Sequence, residues 1–291
     1  DRVLGIWKEL LIKNGRLVLG MNIRFGIRYF CGDRDPYTDR NFDGIENYRR
    51  YFVKKEDVLT GMEYNRAELE MLLDAAGWTN RKFYSVFPDL DAPSFIFAEE
   101  YIPNEELSTR CFPRYHYPDT VFLEEEFLYS DLIKNGMFHK MANAFLIECY
   151  KDEICECSDI EHVTMSLDRG QKDALFTIIH NNGIVEKRAA YEEGMLRLDE
   201  MLKNSEDLKA HGVEVVQANI DGKSYKMPFV ESETALIYLQ NLAHTDVNKF
   251  VREMDGFRTI ILKSSEHVII KQWNKDVECL KKGYIDLVPI N

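Results

Sequence analysis

The sequence has no run of 18 uninterrupted apolar residues, and it does not open with a basic segment followed by an apolar core. The first absence predicts that no helix spans a membrane, and the second predicts that there is no signal peptide. Its 37 basic residues are outnumbered by 50 acidic ones, for a formal net charge of -13. This charge disfavours nucleic acid or an anionic membrane as the main partner, although a local basic groove for phosphates remains compatible with it.

Neither cysteine nor histidine is grouped in the spacings that metal sites use. The six cysteines include no CxxC pair, which favours a reducing, cytoplasmic location over a secreted disulfide framework. Cys155 and Cys157 are best interpreted as part of a polar linker. The seven histidines form no HxH or HExxH pattern, so a zinc site is not expected.

The chain is long enough for two domains, with 291 residues of which 45% are hydrophobic. The acidic stretch KDEICECSD separates two different patterns, which predicts one domain over residues 1–152 and another over residues 153–291. The sequence opens with Asp1 rather than Met, and we expect it to be a fragment, incomplete at both ends and inactive alone.

The first 152 residues contain the pattern of a doubly wound α/β sheet. DRVLGIWKELLIKNG predicts an amphipathic helix, and RLVLGMN predicts a short strand of the kind buried in a parallel sheet. YNRAELEMLLDAAGW predicts a second helix, with Asn65 as N-cap and Glu68 completing a capping box. RKFYSVFPD and NAFLIECY predict two further strands, and long aromatic stretches between these elements are interpreted as insertions.

These motifs resemble the C-terminal half of a class I S-adenosylmethionine-dependent methyltransferase, with a partial Rossmann-like fold. KELLIKNGRLVLGMN is similar to the helix and fifth strand of such enzymes, and AELEMLLDAAGWTNRKFYSVF to the helix and sixth strand. NAFLIECY would be the antiparallel seventh strand. MNIRFGIRYFCGDRDPYT and FDGIENY resemble a subgroup of bacterial surface-polysaccharide gene products. A generic doubly wound domain is the alternative.

The resemblance implies where the substrate side of this domain lies. Asn22 and Arg24 are placed at the carboxyl edge of the sheet, where doubly wound sheets bind ligands, and Asp43 and Glu46 would face an acceptor. Packing or surface roles are the alternative for each of these residues. The glycine-rich loop and acidic residue that bind S-adenosylmethionine are expected before Asp1, so no residue of this chain is assigned to that cofactor.

The second domain has the pattern of an antiparallel sheet followed by helices. EHVTMSL predicts a strand, and ALFTIIH-NNG-IVEKRA predicts a hairpin about an Asn-Gly turn. The helix AYEEGMLRLDEMLKNS comes next, then the hairpin VEVVQANIDGKSYKMPFVE, and helices from about residue 232. The predicted class is therefore α+β, with a sheet over about 160–231 and a helical part over 232–291.

This order of elements resembles the small lobe of protein kinases and aminoglycoside phosphotransferases, followed by the start of their large lobe. The ending YIDLVPIN is similar to the catalytic loops HGDLHPGN and HRDLKPEN of those families. The resemblance implies that Lys187 on the third strand holds ATP phosphates and pairs with Glu192 of the following helix. It further implies that Asp286 accepts the proton of the attacking hydroxyl and that Asn291 binds Mg²⁺.

The sequence also departs from the kinase pattern. Tyr284 stands where the loop histidine is expected, and SLDRGQKD offers only Gly170 where kinases have several glycines. Glu231, after the last strand, is assigned to ATP on the same resemblance. The second metal-binding aspartate of such enzymes is expected beyond Asn291.

Together the two resemblances predict a cytoplasmic methyltransferase and kinase fusion that uses S-adenosylmethionine, ATP and Mg²⁺. Its substrate would be a saccharide or glycan of a bacterial surface polysaccharide or its precursor, and other polysaccharide-assembly enzymes are candidate partners. One alternative is a pseudoenzyme that acts as a scaffold in polysaccharide assembly. A second alternative keeps the methyltransferase and makes the second domain an acceptor-binding unit only.

Overall fold

In a computed structural model of the chain, the structure describes residues 2–54, 58–104, 107–152, 157–165 and 172–264. The chain folds into two compact units. The first comprises Asp1–Leu198 and Asn219–Phe229, and the second comprises Asp199–Ala218 and Val230–Asn291. All the described strands belong to the first unit, and the last two described helices belong to the second.

The described part of the chain contains eight α-helices and nine strands. The helices are α1 Arg2–Leu10, α2 Ile27–Phe30, α3 Arg66–Ala75, α4 Leu107–Arg110, α5 Tyr129–Lys134, α6 Gly194–Ala210, α7 Ala235–Thr245 and α8 Val247–Ser264. The strands are β1 Arg16–Asn22, β2 Arg81–Phe87, β3 Phe95–Ala98, β4 Ala144–Tyr150, β5 Ile160–Met165, β6 Leu175–His180, β7 Ile184–Ala189, β8 Asn219–Asp221 and β9 Ser224–Pro228.

The nine strands form one open sheet in the order β1-β4-β2-β3-β5-β6-β7-β9-β8. Every neighbouring pair is antiparallel, so β1 and β2, which both flank β4, run in the same direction. β3 pairs with β5 across the predicted linker, with Phe95 opposite Thr164. One sheet therefore contains strands from both sides of the boundary predicted between residues 152 and 153, and that domain boundary remains a prediction.

Strand β1 corrects one expectation from the sequence. It was expected to be buried in a parallel sheet, but it lies at the edge and pairs with β4 alone among the described strands. Its residues alternate between exposed and half-buried, and Val18 is 48% exposed. An edge strand with one covered face can contain the same apolar residues as a fully buried strand. The apolar pattern alone therefore does not distinguish the two.

The predicted first helix is confirmed as α1, but its apolar stripe is largely exposed. Leu4 and Leu11 pack against the core, whereas the exposed apolar side chains of this helix are Val3, Ile6, Trp7 and Leu10. Helical periodicity identifies a stripe, but a stripe does not reveal what covers it.

Local sequence signals are confirmed at several predicted elements. Asn65 caps α3 by accepting from the Glu68 N–H at 2.9 Å, and the Glu68 carboxylate accepts from the Asn65 N–H at 2.8 Å. The two hairpin turns place Gly183 and Gly222 at φ of 76° and 60°, a left-handed conformation that glycine adopts without strain.

The core of the first unit is rich in aromatic residues. Phe87 lies at its centre, with ring centroids 4.6 Å from Phe138 and 5.6 Å from Tyr129. His162 of β5 packs its imidazole against Phe97 and Tyr101, at centroid distances of 4.5 and 5.0 Å. These rings join the first four strands of the sheet to β5 through side-chain packing as well as through backbone pairing.

Candidate functional site

Three strand ends meet at one edge of the sheet. β1 ends at Asn22 and β2 at Phe87, while β4 runs the opposite way and begins at Ala144. The register places both Asn22 and Val86 beside Ala144. Residues that follow β1 and β2, and residues that precede β4, therefore lie together at the carboxyl edge of the two parallel strands.

Arg28 is the centre of a buried polar cluster at this edge. Its guanidinium is 2% exposed, lies 2.6 Å from the Asp89 carboxylate and donates to the Pro88 carbonyl at 2.8 Å. Its backbone N–H donates to Asn143 Oδ1 at 3.0 Å. One arginine thus connects the segments that flank all three strand ends.

The ion pair between Arg28 and Asp89 is electrostatically favoured. Burial raises the pKa of the Asp89 carboxyl, but Arg28 and the backbone N–H of Asp91 more than offset this effect. The pKa of Asp89 consequently lies below its ordinary value, and the pair is charged at neutral pH.

Glu125 lies behind this pair and is fully buried. Its Oε1 accepts from the Tyr129 hydroxyl at 2.7 Å and from Asn143 Nδ2 at 2.8 Å. Its Oε2 has no hydrogen-bond partner among the described residues. Burial raises the pKa of the Glu125 carboxyl to about 7, so this group can hold a proton near neutral pH.

Asp33 and His116 complete the cluster toward solvent. Asp33 is fully buried, and its carboxylate accepts from the backbone N–H groups of His116 at 2.9 Å and Tyr117 at 2.8 Å. The His116 ring has Nδ1 3.4 Å from Asp33 Oδ2 and Nε2 3.4 Å from Arg28 Nη1. Its side chain is 29% exposed, which makes it more accessible than Arg28, Asp33 or Asp89.

Arg24, predicted to contact substrate, lies at this edge but has its donors in use. It is 5% exposed and donates to both oxygens of Glu68, at 3.1 and 2.9 Å, and to the Gly44 carbonyl at 2.9 Å. The arrangement fixes the segment after β1 against the start of α3 and against the first insertion. Asn22 differs, because its Oδ1 is buried without a partner among the described residues.

The structure separates the two acidic residues predicted to face an acceptor. Asp43 is 5% exposed, with its carboxylate 3.7 Å from Arg50 Nε, whereas Glu46 is exposed. Asp43 therefore faces the interior of the insertion. Of the two, only Glu46 is exposed to solvent, and the roles of both residues remain predictions.

The insertion that carries these residues has an unusual backbone. Four non-glycine residues close together have φ between 52° and 67°, namely Asp39, Phe42, Asn47 and Tyr48. This region of φ is costly for bulky side chains and persists where the surroundings hold it. Here Asp35 is the anchor, since its carboxylate accepts from the Tyr48 hydroxyl at 2.8 Å and from the Tyr37 N–H at 2.9 Å.

Lys187 lies on β7, as the sequence predicts, but it is not paired with Glu192. Its ammonium donates to Thr177 Oγ1 at 3.2 Å, and burial together with Arg197 lowers its pKa. Glu192 precedes α6, which begins only at Gly194, and its carboxylate is 90% exposed and 4.0 Å from Lys223. The expected ion pair is not formed, and the helix starts at Gly194, four residues later than the predicted start at Ala190.

The roles of the other predicted kinase residues remain predictions. Glu231 is exposed and belongs to the second compact unit. The others lie outside the described residues, and they are Gly170, Tyr284, Asp286 and Asn291.

Sequence reasoning missed the cluster around Arg28. Its members are Arg28, Asp33, Asp89, His116, Glu125 and Asn143, which span 115 positions along the chain and share no motif. One available signal was position, because Asp89 follows β2 by two residues and Asn143 directly precedes β4.

Comparison of the chain with protein-family models, with curated proteins and with solved structures finds no match in any of the three. Across the described ranges, no group of three or more His, Cys, Asp or Glu side chains is arranged to hold a metal ion. None of the described helices is long and apolar enough to cross a membrane.

Proposed function

We propose that this chain belongs to an S-adenosylmethionine-dependent methyltransferase joined to an ATP-dependent kinase-like unit. Its substrate would be a saccharide of a bacterial surface polysaccharide or of a precursor. The observation that carries the methyltransferase part is the buried polar cluster at the carboxyl ends of β1 and β2, with β4 antiparallel between them.

The strand directions support this assignment. The sequence resemblance requires two parallel strands and a final antiparallel strand, and β1, β2 and β4 have these directions. Open doubly wound sheets bind their ligands beyond the carboxyl ends of parallel strands. In this chain that region contains His116. Its side chain is partly exposed and lies next to the ion pair between Arg28 and Asp89.

The end of β1 also offers a contact for the cofactor. The buried, unpartnered Oδ1 of Asn22 fits a hydrogen-bond donor supplied by a ligand, because an unpaired buried oxygen is otherwise costly. When bound, S-adenosylmethionine would supply an activated methyl group there. Asn22 would hold the cofactor, and the Arg28 cluster would form the acceptor side.

Isothermal titration calorimetry with S-adenosylmethionine on the full-length protein tests this proposal. We expect binding, and we expect label from the methyl group to reach polysaccharide isolated from a strain that lacks the gene. Asn22→Leu should weaken binding about tenfold, equivalent to about 1.4 kcal/mol, while Asn241→Leu on exposed α7 should leave it unchanged. Absence of both binding and transfer by the unchanged protein would refute the methyltransferase assignment.

A second function, phosphoryl transfer, is supported by a separate observation. Strands β5, β6 and β7, helix α6, strands β8 and β9 and then helices follow one another in the predicted kinase-like order. Lys187 lies on the third of these strands, with a half-buried ammonium. Asp286 as base and Asn291 as Mg²⁺ ligand rest on the sequence resemblance alone.

The kinase-like proposal is tested by calorimetry with ATP and Mg²⁺ on the full-length protein. We expect Lys187→Met to weaken ATP binding about tenfold, because methionine has no ammonium to contact the phosphates. Lys209→Met, at an exposed position in the last turn of α6, is the matched control and should bind normally. Asp286→Asn should still bind ATP but lose transfer to the glycan.

The scaffold hypothesis predicts a different result in the same experiment. It is favoured by the separation of Lys187 from Glu192, and it requires that the unchanged protein bind neither ATP nor Mg²⁺. A protein that binds glycan but not ATP would support the narrower hypothesis, in which the second unit only holds the acceptor.

A further inference from the structure

We propose that His116 accepts the proton of the acceptor in methyl transfer, and that the acceptor is a saccharide hydroxyl rather than a phosphate monoester. This inference rests on the proposed methyltransferase function. It concerns a histidine that no sequence motif identifies, and it starts from the contacts of the two ring nitrogens.

The contacts of His116 define its tautomer. Arg28 Nη1 lies 3.4 Å from Nε2, and a guanidinium can only donate hydrogen bonds. Nε2 must therefore be the unprotonated, accepting nitrogen. The ring proton is then on Nδ1, which lies 3.4 Å from the Asp33 carboxylate. A neutral imidazole with its proton on Nδ1, beside a carboxylate, leaves Nε2 unprotonated, which is the form that accepts a proton.

Asp33 is built to orient this ring. It is fully buried, and its Oδ1 accepts from the N–H groups of Arg34 at 3.1 Å and Tyr117 at 2.8 Å. Its Oδ2 accepts from the N–H of His116 itself, at 2.9 Å. Hydrogen bonds to both of its oxygens hold the carboxylate beside the His116 ring. Asp33 therefore acts as a positioning residue.

The charges around His116 balance a proton that arrives on Nε2. Arg28 opposes that proton, but its charge is matched by Asp89 at 2.6 Å, and Asp33 stabilises the imidazolium from the other side. Nη1 of Arg28 lies closer to Asp89 than to His116, so the long contact to Nε2 can yield to an acceptor hydroxyl.

The same charges favour a hydroxyl over a phosphate monoester. A phosphate monoester carries about 1.5 to 2 negative charges at pH 7 and needs no base to react. It would also need cations to bind it, and the arginine that contacts His116, Arg28, is 2% exposed and already paired with Asp89. A hydroxyl, in contrast, is a weak nucleophile until its proton is removed.

Methyl transfer to a hydroxyl forms one bond and breaks another. A bond forms between the hydroxyl oxygen and the methyl carbon while the bond between that carbon and the sulfonium sulfur breaks. The electron pair of the broken bond stays on sulfur, which becomes neutral, and the hydroxyl proton moves to Nε2 of His116. Solvent later takes the proton from the exposed ring.

The tautomer can be tested without any measurement of activity. Proton and nitrogen NMR of the full-length protein labelled with ¹⁵N only in histidine should show His116 with its proton on Nδ1. His116→Gln identifies the signal, and Asp33→Asn should shift it. A proton on Nε2 in the unchanged protein would overturn the proposal.

The catalytic role is tested by methyl transfer to the polysaccharide from the gene-deleted strain. We expect His116→Gln to lower kcat at least about 100-fold, with S-adenosylmethionine affinity unchanged. Imidazole added to His116→Ala should restore part of the rate, and His211→Gln at the end of α6 is the control.

Three further results would overturn the inference. His116→Gln could retain at least a third of the wild-type rate, or the methyl group could be found on a phosphate of the product. Either result leaves the methyltransferase assignment intact. If the unchanged protein neither binds S-adenosylmethionine nor methylates the polysaccharide, the proposed function fails and the role of His116 fails with it.

Discussion

Arg28→Met is expected to destabilise the protein by about 3–5 kcal/mol, because the change leaves the buried Asp89 carboxylate without its cation. Hydrogen bonds to Pro88 and to the segment before β4 hold Arg28 at the strand ends. The loss is measured by urea unfolding followed by circular dichroism, with the m-value checked for two-state behaviour.

Two further variants separate lost charge pairing from lost packing. Arg16→Met removes an arginine that is 59% exposed and paired with Glu148 at 3.1 Å, and it should cost no more than about 1 kcal/mol. Asp89→Asn combined with Arg28→Met should recover part of the stability, since no unpaired buried charge remains. A loss below about 1 kcal/mol for Arg28→Met would contradict the burial of this pair.

Acid should destabilise the protein through His162. Burial, with a smaller effect of Arg110, lowers the pKa of His162 to about 3, below its ordinary value of 6.5. The unfolded chain therefore binds more protons between these two values, and stability present above about pH 6.5 is lost as the pH falls toward 3. Between pH 6 and pH 4, we expect this histidine alone to cost about 2.5 kcal/mol.

The contribution of His162 is isolated by His162→Phe. Phenylalanine keeps the packing against Phe97 and Tyr101 but cannot take up a proton. Both proteins should lose free energy of unfolding from pH 6 to pH 4. The loss should be about 2.5 kcal/mol smaller for the variant than for the unchanged protein. His211→Gln, at an exposed position, should keep the original slope. Identical slopes for all three proteins would show that His162 does not titrate as its burial requires.

Features set by neighbouring residues were predictable, and features set by distant partners were not. The capping box at Asn65 and the turns at Gly183 and Gly222 follow from signals within four residues. Whether β1 is central or at an edge depends on which strands pair with it, and its described partner β4 lies more than a hundred residues away. The pairing of β3 with β5 likewise joins a four-residue strand that has no clear pattern of its own to one beyond the linker.

The candidate site shows the same division. Asn22 and Arg24 could be placed near the carboxyl edge because Asn22 ends a recognisable strand and Arg24 follows it. His116 could not, since its importance depends on a carboxylate and a guanidinium that the fold brings from positions 33 and 28. Glu192 was assigned to a helix from periodicity, but the helix begins at Gly194, and a small error in a helix start removes a predicted ion pair.

The ladder between β3 and β5 contains three residue pairs, from Phe95 with Thr164 to Phe97 with His162. These pairs are the seam between a four-stranded and a five-stranded portion of the sheet. Hydrogen exchange of their backbone amides therefore shows whether the two portions unfold together. Exchange as slow as global unfolding would indicate one folding unit, and faster exchange would indicate two. His162 lies within this seam, so its protonation in acid would weaken the junction before either portion of the sheet.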